Sequence, residues 1–415
     1  MAERVVVTGL GAVTPLGLDV ASTWDSVIEG RSGIGRITAF DASDLDAQIA
    51  AEVKGFDPEQ MLSPREARRL DRFCQFALVA AREAVADAGL VIDESNSEHI
   101  GVVMGSGIGG IITLSEQIEV LRSKGPRRVS PFLIPMFLID LASGQIAIAT
   151  GARGPNYGMV SACTTSAHAI GEAAEIISRG DAIAMIAGGS EAPILPIGVA
   201  GFAAMKALST RNDEPERASR PFDADRDGFI MAEGGGAVIL EAESHARQRG
   251  ARIYAEVAGY GATDDAYHIT APAEGGEGGV RAMKIALKKA GCDPSDVDYV
   301  NAHGTSTPIN DALETAALKT VFGSHAAQVP VSSTKSMTGH MLGAAGVIEG
   351  IICIKAIEQN IIPPTINYEK PDPACDLDYV PNVARQHPVN TALSNSLAFG
   401  GHNATLILRR YTSAA

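Results

Sequence analysis

The stretch Arg4-Val-Val-Val-Thr-Gly-Leu-Gly-Ala-Val-Thr14 has a counterpart in Ala255-Glu-Val-Ala-Gly-Tyr-Gly-Ala-Thr263. In both, an apolar run typical of a buried strand leads into Gly-x-Gly-Ala. Further pairs follow in the same order, namely Glu98–Gly107 with Asp296–Thr305, Ser161–His168 with Thr338–Ala345, and Ala184–Ser190 with Ser396–His402. Glycine-rich α/β turns resemble one another in unrelated proteins, so no single pair decides, but the shared order predicts a duplicated unit.

Strand and helix patterns alternate along the whole chain, which predicts an α/β fold with largely parallel sheets. The repeat divides the chain into two halves, residues 1–250 and 251–412. If the halves pack about a pseudo-twofold axis, the loops at their strand ends meet at one site. Those loops carry Cys163, His303, His340 and Phe399.

Composition and charge exclude several classes of protein. The 415 residues are 46% hydrophobic and 20% charged, which excludes a disordered, coiled-coil or collagen-like chain. The net charge of −15 repels a phosphate backbone, so we expect no nucleic acid partner.

Location follows from the apolar runs and the cysteines. Val5–Val7 is too short for a secretory signal, and Phe132–Ala149 is interrupted by Pro135, Asp140 and Gln145. The segment Phe132–Ala149 therefore falls short of the roughly 20 apolar residues of a membrane helix, and we expect it to be a buried or interface segment. Five widely spaced cysteines without a CxxC pair argue against a disulfide framework and fit the cytoplasm.

Three motifs suggest cofactors, and each is incomplete. Gly105–Gly110 has the spacing GxGxxG but lacks an acidic residue at 120–139 for a ribose. Asp223–Glu233 begins like a calcium loop but closes one position early, which favours a turn held by aspartate side chains. Cys163, His303 and His340 lack the short spacing of a metal site. We expect no cofactor and no metal.

Cys163 is the candidate nucleophile because it directly precedes a helix with an apolar face. Backbone N–H groups and the positive end of the helix dipole favour a thiolate there, and we expect them to lower the pKa from about 8.5 toward neutrality. The remaining cysteines are interpreted as small packing residues: Cys74, Cys292, Cys353 and Cys375.

Two histidines and a lysine occupy matching loops. Asp296–Val300 alternates polar and apolar residues as a half-buried strand does, and it leads to His303 at its C-terminal end, where α/β sites usually lie. Lys335 and His340 lie on the loop that enters a helix predicted over Met341–Ile357. The other histidines are interpreted as packing or surface residues: His99, His168, His245, His268, His325 and His387.

Four motifs resemble the signatures of the beta-ketoacyl-[acyl carrier protein] synthases, most closely the elongating synthase II type. They are Val-Ser-Ala-Cys163-Thr-Thr-Ser, Asn-Ala-His303-Gly-Thr-Ser-Thr-Pro-Ile-Asn-Asp311, Thr-Lys335-Ser-Met-Thr-Gly-His340 and Phe399-Gly-Gly-His-Asn. The resemblance spans nearly the whole chain. It implies the duplicated thiolase fold, with five layers in the order α-β-α-β-α. The Cys-His-His set differs from the Cys-His-Asn set of the synthase III type. It also differs from the set in thiolases, which carry a second cysteine as base.

The resemblance implies a two-stage condensation. Cys163 takes an acyl chain from a carrier protein, with the N–H groups of Cys163 and Phe399 as the oxyanion hole. His303 and His340 then donate to the thioester oxygen of malonyl-carrier protein, which loses carbon dioxide and attacks the acyl group. Lys335 supports the site electrostatically or serves only as a structural ion-pair partner.

Other positions are assigned by resemblance, with ordinary packing as the alternative. Ile108 and Phe202 would shape the acyl pocket, Thr270, Thr305 and Thr307 would contact the carrier's prosthetic arm, and Phe399 with Gly400 would form a gate. Glu349 is expected to be a buried structural acid. His402 replaces a threonine common in the family, and Leu397-Ala398 replaces a more usual Phe-Gly.

The implied partners are an acyl carrier protein and a second copy of the chain. Because such carriers are acidic, the −15 chain needs a local basic patch, with solvated faces as the alternative. Candidates are Arg65, Arg68, Arg69 and Lys206, with Arg72, Arg122, Lys124, Arg127, Arg128 and Arg211 as further members. A homodimer is expected, with Phe132–Ile139 as a candidate interface. A polyketide-type ketosynthase stays open, whereas a non-catalytic chain-length factor would lack Cys163.

Overall fold

The computed structural model describes residues 3–413. Its strands are β1 Val5–Val13, β2 Gly35–Arg36, β3 Ile49–Ala50, β4 Ile100–Gly105, β5 Asn156–Met159, β6 Ala184–Glu191, β7 Gly234–Ala242, β8 Ala255–Asp264, β9 Tyr299–Asn301, β10 Val331–Ser332, β11 Ile361–Ile362, β12 Arg385–Gln386, β13 Thr391–Leu397 and β14 His402–Arg409. Its helices are α1 Val20–Ile28, α2 Pro58–Met61, α3 Pro64–Ala67, α4 Arg72–Ala88, α5 Ile111–Lys124, α6 Leu133–Phe137, α7 Leu141–Thr150, α8 Thr165–Ser178, α9 Pro196–Ala204, α10 Glu243–Gln248, α11 Glu277–Ala290, α12 Pro308–Phe322, α13 Lys335–Thr338 and α14 Ala345–Gln359.

The large sheet has the same strand order on both sides of its centre. Outward from β1 the order is β1-β7-β6-β4-β5, and outward from β8 it is β8-β14-β13-β9-β10. Strand directions match as well: the three outer strands of each set are parallel, and the inner ones are antiparallel. β1 and β8 join the sets through a short antiparallel pairing. This symmetry confirms the predicted duplication.

Helices cover and separate the two strand sets. α4 packs on β1, β7 and β6, and α11 packs on β8 and β14, so each forms an outer layer. α8 and α14 pack on each other and on strands of both sets, which makes them the central layer. The expected α-β-α-β-α order is confirmed, and the central helices begin at the candidate site.

The two Gly-x-Gly stretches of the opening repeat lie inside strands β1 and β8, where they let helices approach closely. A Cβ on Gly11 would lie 1.9 Å from the carbonyl oxygen of Ala80 in α4, and a Cβ on Gly261 would lie 2.0 Å from that of Ala282 in α11. Any side chain at either position would push the outer helix away from its strand. The repeated glycines therefore fix helix-to-sheet packing in both halves.

The predicted correspondence between Ala184–Ser190 and Ser396–His402 was wrong. Gly188-Gly189 lies inside β6, whereas Gly400-Gly401 lies in a turn after β13, with φ values of 83° and 81°. By position in the sheet, β6 corresponds to β13, so the shared Gly-Gly sequence lies in a strand in one half and in a turn in the other.

Within residues 3–413, no helix is long and apolar enough to cross a membrane.

Candidate active site

Cys163 lies in a single 3-10 turn, Ala162–Thr164, that continues into α8. Ala162 has φ of 50°, a strained value for a residue with a side chain. Hydrogen bonds hold this turn: the Ser161 N–H donates to Thr165 Oγ1 at 2.9 Å, and Thr164 Oγ1 donates to the Ser161 carbonyl at 2.7 Å. The turn therefore fixes Cys163 at the start of a central helix.

His340 is the nearest titratable partner of the thiol. Its Nε2 lies 3.1 Å from Cys163 Sγ, and its ring is almost fully buried. Burial, followed by the positive charge of Lys335, lowers the pKa of His340 well below its usual range, so the imidazole is neutral. A neutral Nε2 at this distance can accept the thiol proton.

The predicted lowering of the Cys163 pKa was wrong. Burial raises the pKa of the thiol to about 12 and outweighs the lowering by Lys335, while Glu191 raises it further. Proximity to a helix start does not compensate for desolvation of a thiolate. The resting group is therefore a thiol, which needs a base such as His340.

His303 follows β9 and is held through its backbone. Its N–H donates to Glu314 Oε1 at 2.8 Å, and the Gly304 N–H donates to Glu314 Oε2 at 2.7 Å. Lys335 Nζ donates to the His303 carbonyl at 2.7 Å. The His303 and His340 rings lie edge to face with centroids 5.3 Å apart. The structure thus brings both histidines to the nucleophile.

Lys335 determines which ring nitrogen of His303 carries the proton. Its buried ammonium forms an ion pair with Glu349 and lies 3.4 Å from His303 Nδ1. Burial, then the charge of Lys335, lowers the pKa of His303 well below its usual range. An ammonium only donates, so Nδ1 accepts, and the neutral ring carries its proton on Nε2. His303 can therefore donate a hydrogen bond through Nε2.

A mirrored turn opens the other central helix. Leu342 has φ of 47°, matching Ala162, and a 3-10 turn over Leu342–Ala344 continues into α14. Gly343 occupies the position that corresponds to Cys163. Its N–H donates to Glu191 Oε2 at 3.0 Å.

Glu191 joins this mirrored turn to the loop after β4. Its buried carboxylate also accepts hydrogen bonds from Ser106 Oγ at 2.7 Å, from the Gly107 N–H at 2.7 Å and from the Ile108 N–H at 3.0 Å. One carboxylate thus holds Ile108 and Gly343, which come from different halves, beside Cys163.

Phe399 lies in a turn that packs next to the Cys163 turn. Its ring centroid is 6.5 Å from that of Phe202, and Gly400 follows with φ of 83°. Within residues 3–413, the N–H groups of Cys163 and Phe399 donate to no backbone carbonyl. Both are therefore available to an incoming oxygen.

An apolar cluster lies beside the thiol. Cys163, Ile108 and Phe202 pack against buried side chains that include Phe229 and Leu342. The Phe229 ring also lies edge to face against His340, with centroids 5.3 Å apart. This is an environment for an acyl chain, and both sequence-predicted pocket residues belong to it.

The three predicted threonines differ in position. Thr305 and Thr307 lie on the His303 loop with their Oγ1 atoms 2.9 Å apart. Thr270 is half-buried on the loop between β8 and α11, which accepts a hydrogen bond from the Gly400 N–H through the Ile269 carbonyl. A separate cavity of about 670 Å³, lined by residues that include Thr38 and Arg72, contains none of the catalytic candidates.

Sequence analysis missed the two carboxylates that hold the site loops. Glu191 ends the wholly buried strand β6, and Glu314 lies on the buried face of α12. An acidic residue at a predicted buried position was the sequence signal that could have revealed both, because a buried carboxylate requires nearby hydrogen-bond donors.

Asp223, from the calcium-like motif, caps a turn by accepting hydrogen bonds from the N–H groups of Asp225, Glu369 and Lys370.

Comparison with known proteins gives the family. The family model of the beta-ketoacyl synthase N-terminal domain matches residues 2–246, and the model of the C-terminal domain matches residues 254–369. The chain belongs to the beta-ketoacyl synthase family. It is an acyltransferase that performs the chain-elongating condensation of fatty acid synthesis.

Relatives of this beta-ketoacyl synthase match it over its whole length. The 3-oxoacyl-[acyl-carrier-protein] synthase 2 of Synechocystis is 54% identical over 99% of this chain and 98% of the relative, and that of Coxiella burnetii is 53% identical over 98% and 99%. A beta-ketoacyl synthase structure from Burkholderia phymatum superposes with a TM-score of 0.92 at 36% identity, covering 99% and 100%. A type II polyketide ketosynthase, solved in complex with its acyl carrier protein, gives 0.90 at 37% with the same coverage.

Proposed function

We propose that this chain condenses malonyl-acyl carrier protein with an acyl group carried on Cys163, giving 3-oxoacyl-acyl carrier protein. The observation that carries the proposal is one buried cluster in which a thiol, two neutral histidines and a lysine-glutamate pair meet between the halves.

In the first stage, Cys163 attacks the thioester carbonyl of the acyl-carrier protein. His340 Nε2 accepts the thiol proton, which then leaves with the thiol of the carrier's prosthetic arm. The N–H groups of Cys163 and Phe399 stabilise the oxyanion of the tetrahedral intermediate. The product is an acyl-enzyme whose chain lies along Ile108 and Phe202.

In the second stage, the malonyl thioester oxygen accepts a hydrogen bond from His303 Nε2. His340 donates a second one when its proton is on Nε2. These bonds stabilise the enolate that forms as carbon dioxide leaves. The enolate carbon attacks the acyl carbonyl, the bond to sulfur breaks, and the Cys163 thiolate takes up one proton from water.

A polyketide ketosynthase shares this chemistry and differs in its substrates. The identity of 53–54% to synthase 2 enzymes, against 37% to the polyketide ketosynthase, favours fatty acid elongation. The test is an elongation assay with purified malonyl-carrier protein and a series of saturated acyl-carrier proteins. We expect elongation of saturated chains, and a strict requirement for 3-oxoacyl starters would contradict it.

An exposed basic surface supports docking of an acidic carrier protein. Arg65, Arg68, Arg69 and Lys206 are all exposed, and within residues 3–413 none of them takes part in a salt bridge. Arg69 lies 4.8 Å from the centroid of the Phe132 ring. Unneutralised arginines attract an acidic partner even when the whole chain is negative.

Charge reversal tests this surface. We expect R65E/R69E to raise KM for acyl-carrier protein about ten-fold or more at low salt and to leave KM for a small acyl thioester unchanged. Steady-state kinetics with both substrates measure this. K288E, on the outer helix α11, is the matched control. Equal changes in both KM values would contradict docking there.

A second copy of the chain is the expected partner at the β5 edge. β5 ends the large sheet, so one side of its backbone is unpaired in a single chain. Large apolar side chains are exposed nearby: Ile134 is 60% exposed, Ile148 is 78% exposed and Val160 is 55% exposed. We propose a homodimer through this edge, working in the cytoplasm, where the free cysteines stay reduced.

A charge on this face tests the dimer. We expect I148E to shift the chain from about twice its mass of 43.1 kDa to a single copy, because burying a glutamate at the interface is costly. Light scattering after size exclusion measures the mass. I309E, which changes an exposed isoleucine on α12, should stay dimeric. A monomeric wild-type chain would overturn the proposal.

A further inference from the structure

The turn Phe399–Gly401 is called the gate turn below. His402 directly follows it and is the first residue of β14, opposite the last residue of β8. The two positions form a cross-strand pair, His402 with Asp264. His402 Nδ1 lies 3.2 Å from Asp264 Oδ2, and both side chains are roughly half exposed. The imidazole therefore bridges the start of one strand and the end of its neighbour.

The His402 ring also covers the middle of the gate turn. A Cβ added to Gly400 would lie 2.9 Å from His402 Nε2 and 3.1 Å from its Cδ2. At the base of the turn, the Ala398 N–H donates to the His402 carbonyl at 2.8 Å. One residue thus closes the turn through its backbone and packs against it through its ring.

The gate turn is hydrogen-bonded to the loop that follows β8. The Gly400 N–H donates to the Ile269 carbonyl at 2.8 Å, and the Asp265 N–H donates to the Gly401 carbonyl at 2.8 Å. Phe399 directly precedes Gly400, and its ring centroid lies 6.5 Å from that of Phe202. Because Phe399 is bonded to Gly400, a movement of Phe399 also displaces the Gly400 backbone, which packs against the His402 ring.

We propose that His402 is a positioning residue for the gate: by covering Gly400 and pairing with Asp264, it holds Phe399 in the closed position. The proposal rests on the role of Phe399 as gate. Opening then requires the ring to move and the pair with Asp264 to break. His402 thereby sets how often the acyl pocket becomes accessible.

The test measures access to Cys163 in the full-length enzyme. The probe is the octanoyl thioester of N-acetylcysteamine, and intact-protein mass spectrometry follows acylation of Cys163. Alkylation by iodoacetamide controls for the reactivity of the thiol itself. We expect H402A and H402T to raise the ratio of acylation to alkylation rates about five-fold. D264N should raise it only about two-fold, because a solvent-exposed ion pair contributes little.

Controls distinguish the possible failures. H325A, on a remote turn, should match the wild-type ratio. An unchanged ratio in both H402A and H402T would overturn the gate proposal. A wild-type enzyme that is never acylated at Cys163 would instead contradict the proposed function.

Discussion

Replacement of Cys163 by alanine is expected to abolish condensation. The side chain that would carry the acyl group is removed, and within residues 3–413 no other cysteine lies beside His340. The mirrored position holds Gly343, which offers no substitute nucleophile. The measurement is formation of 3-oxoacyl product from purified acyl- and malonyl-carrier proteins. Undiminished product would refute the mechanism.

Replacement of Cys163 by glutamine separates the two stages. Both histidines remain in C163Q, so we expect it to release carbon dioxide from malonyl-carrier protein while forming no condensation product. The matched control is C74A, which alters a buried cysteine in α4. A folded C163Q enzyme that releases no carbon dioxide would contradict the assigned role of the histidines.

His303→Ala is expected to reduce decarboxylation about 10²- to 10³-fold, the usual loss for one oxyanion donor. Acylation of Cys163 should change much less, because the base in that stage is His340. Single-turnover assays of each stage measure the difference. An equal loss in both stages would indicate a general collapse of the site.

A double-mutant comparison tests whether Lys335 acts through His303. Removing Lys335 alone leaves Glu349 buried without its partner, which typically costs about 3–5 kcal/mol, so the suitable variant is K335M/E349Q. We expect it to slow decarboxylation in the wild-type background and to add little in H303A. Additive losses would mean that Lys335 acts independently of the His303 tautomer.

Local sequence signals predicted the duplication, and the family resemblance supplied the order of the layers. The prediction of largely parallel sheets was wrong, because the inner strands of the large sheet pair antiparallel. Gly11 and Gly261 marked equivalent strands because close helix packing demands glycine at both positions. The order of the repeats placed Cys163, His303 and His340 on loops that the structure brings together. The division into residues 1–250 and 251–412 and the roles of the individual site residues stay predictions.

Properties that depend on distant residues could not be predicted in this way. The Cys163 pKa is governed by burial among side chains from both halves, whereas the sequence showed only the adjacent helix. Glu191 binds Gly107 and Gly343, which lie 84 and 152 residues away, so its role was invisible locally. The Gly-Gly mismatch arose because one dipeptide fits both a strand and a left-handed turn.

Gly343 leaves no room for a second nucleophile at the mirrored turn of the chain. The fold presents two equivalent turns, yet a Cβ at Gly343 would lie 2.5 Å from the Gly107 nitrogen and 2.7 Å from Glu191 Oε2. The loop that contains Gly107 and Ile108 thus fills the space that a second nucleophile would need. Active-site titration should therefore saturate at one acyl group per chain, because the two symmetric turns together form a single asymmetric site.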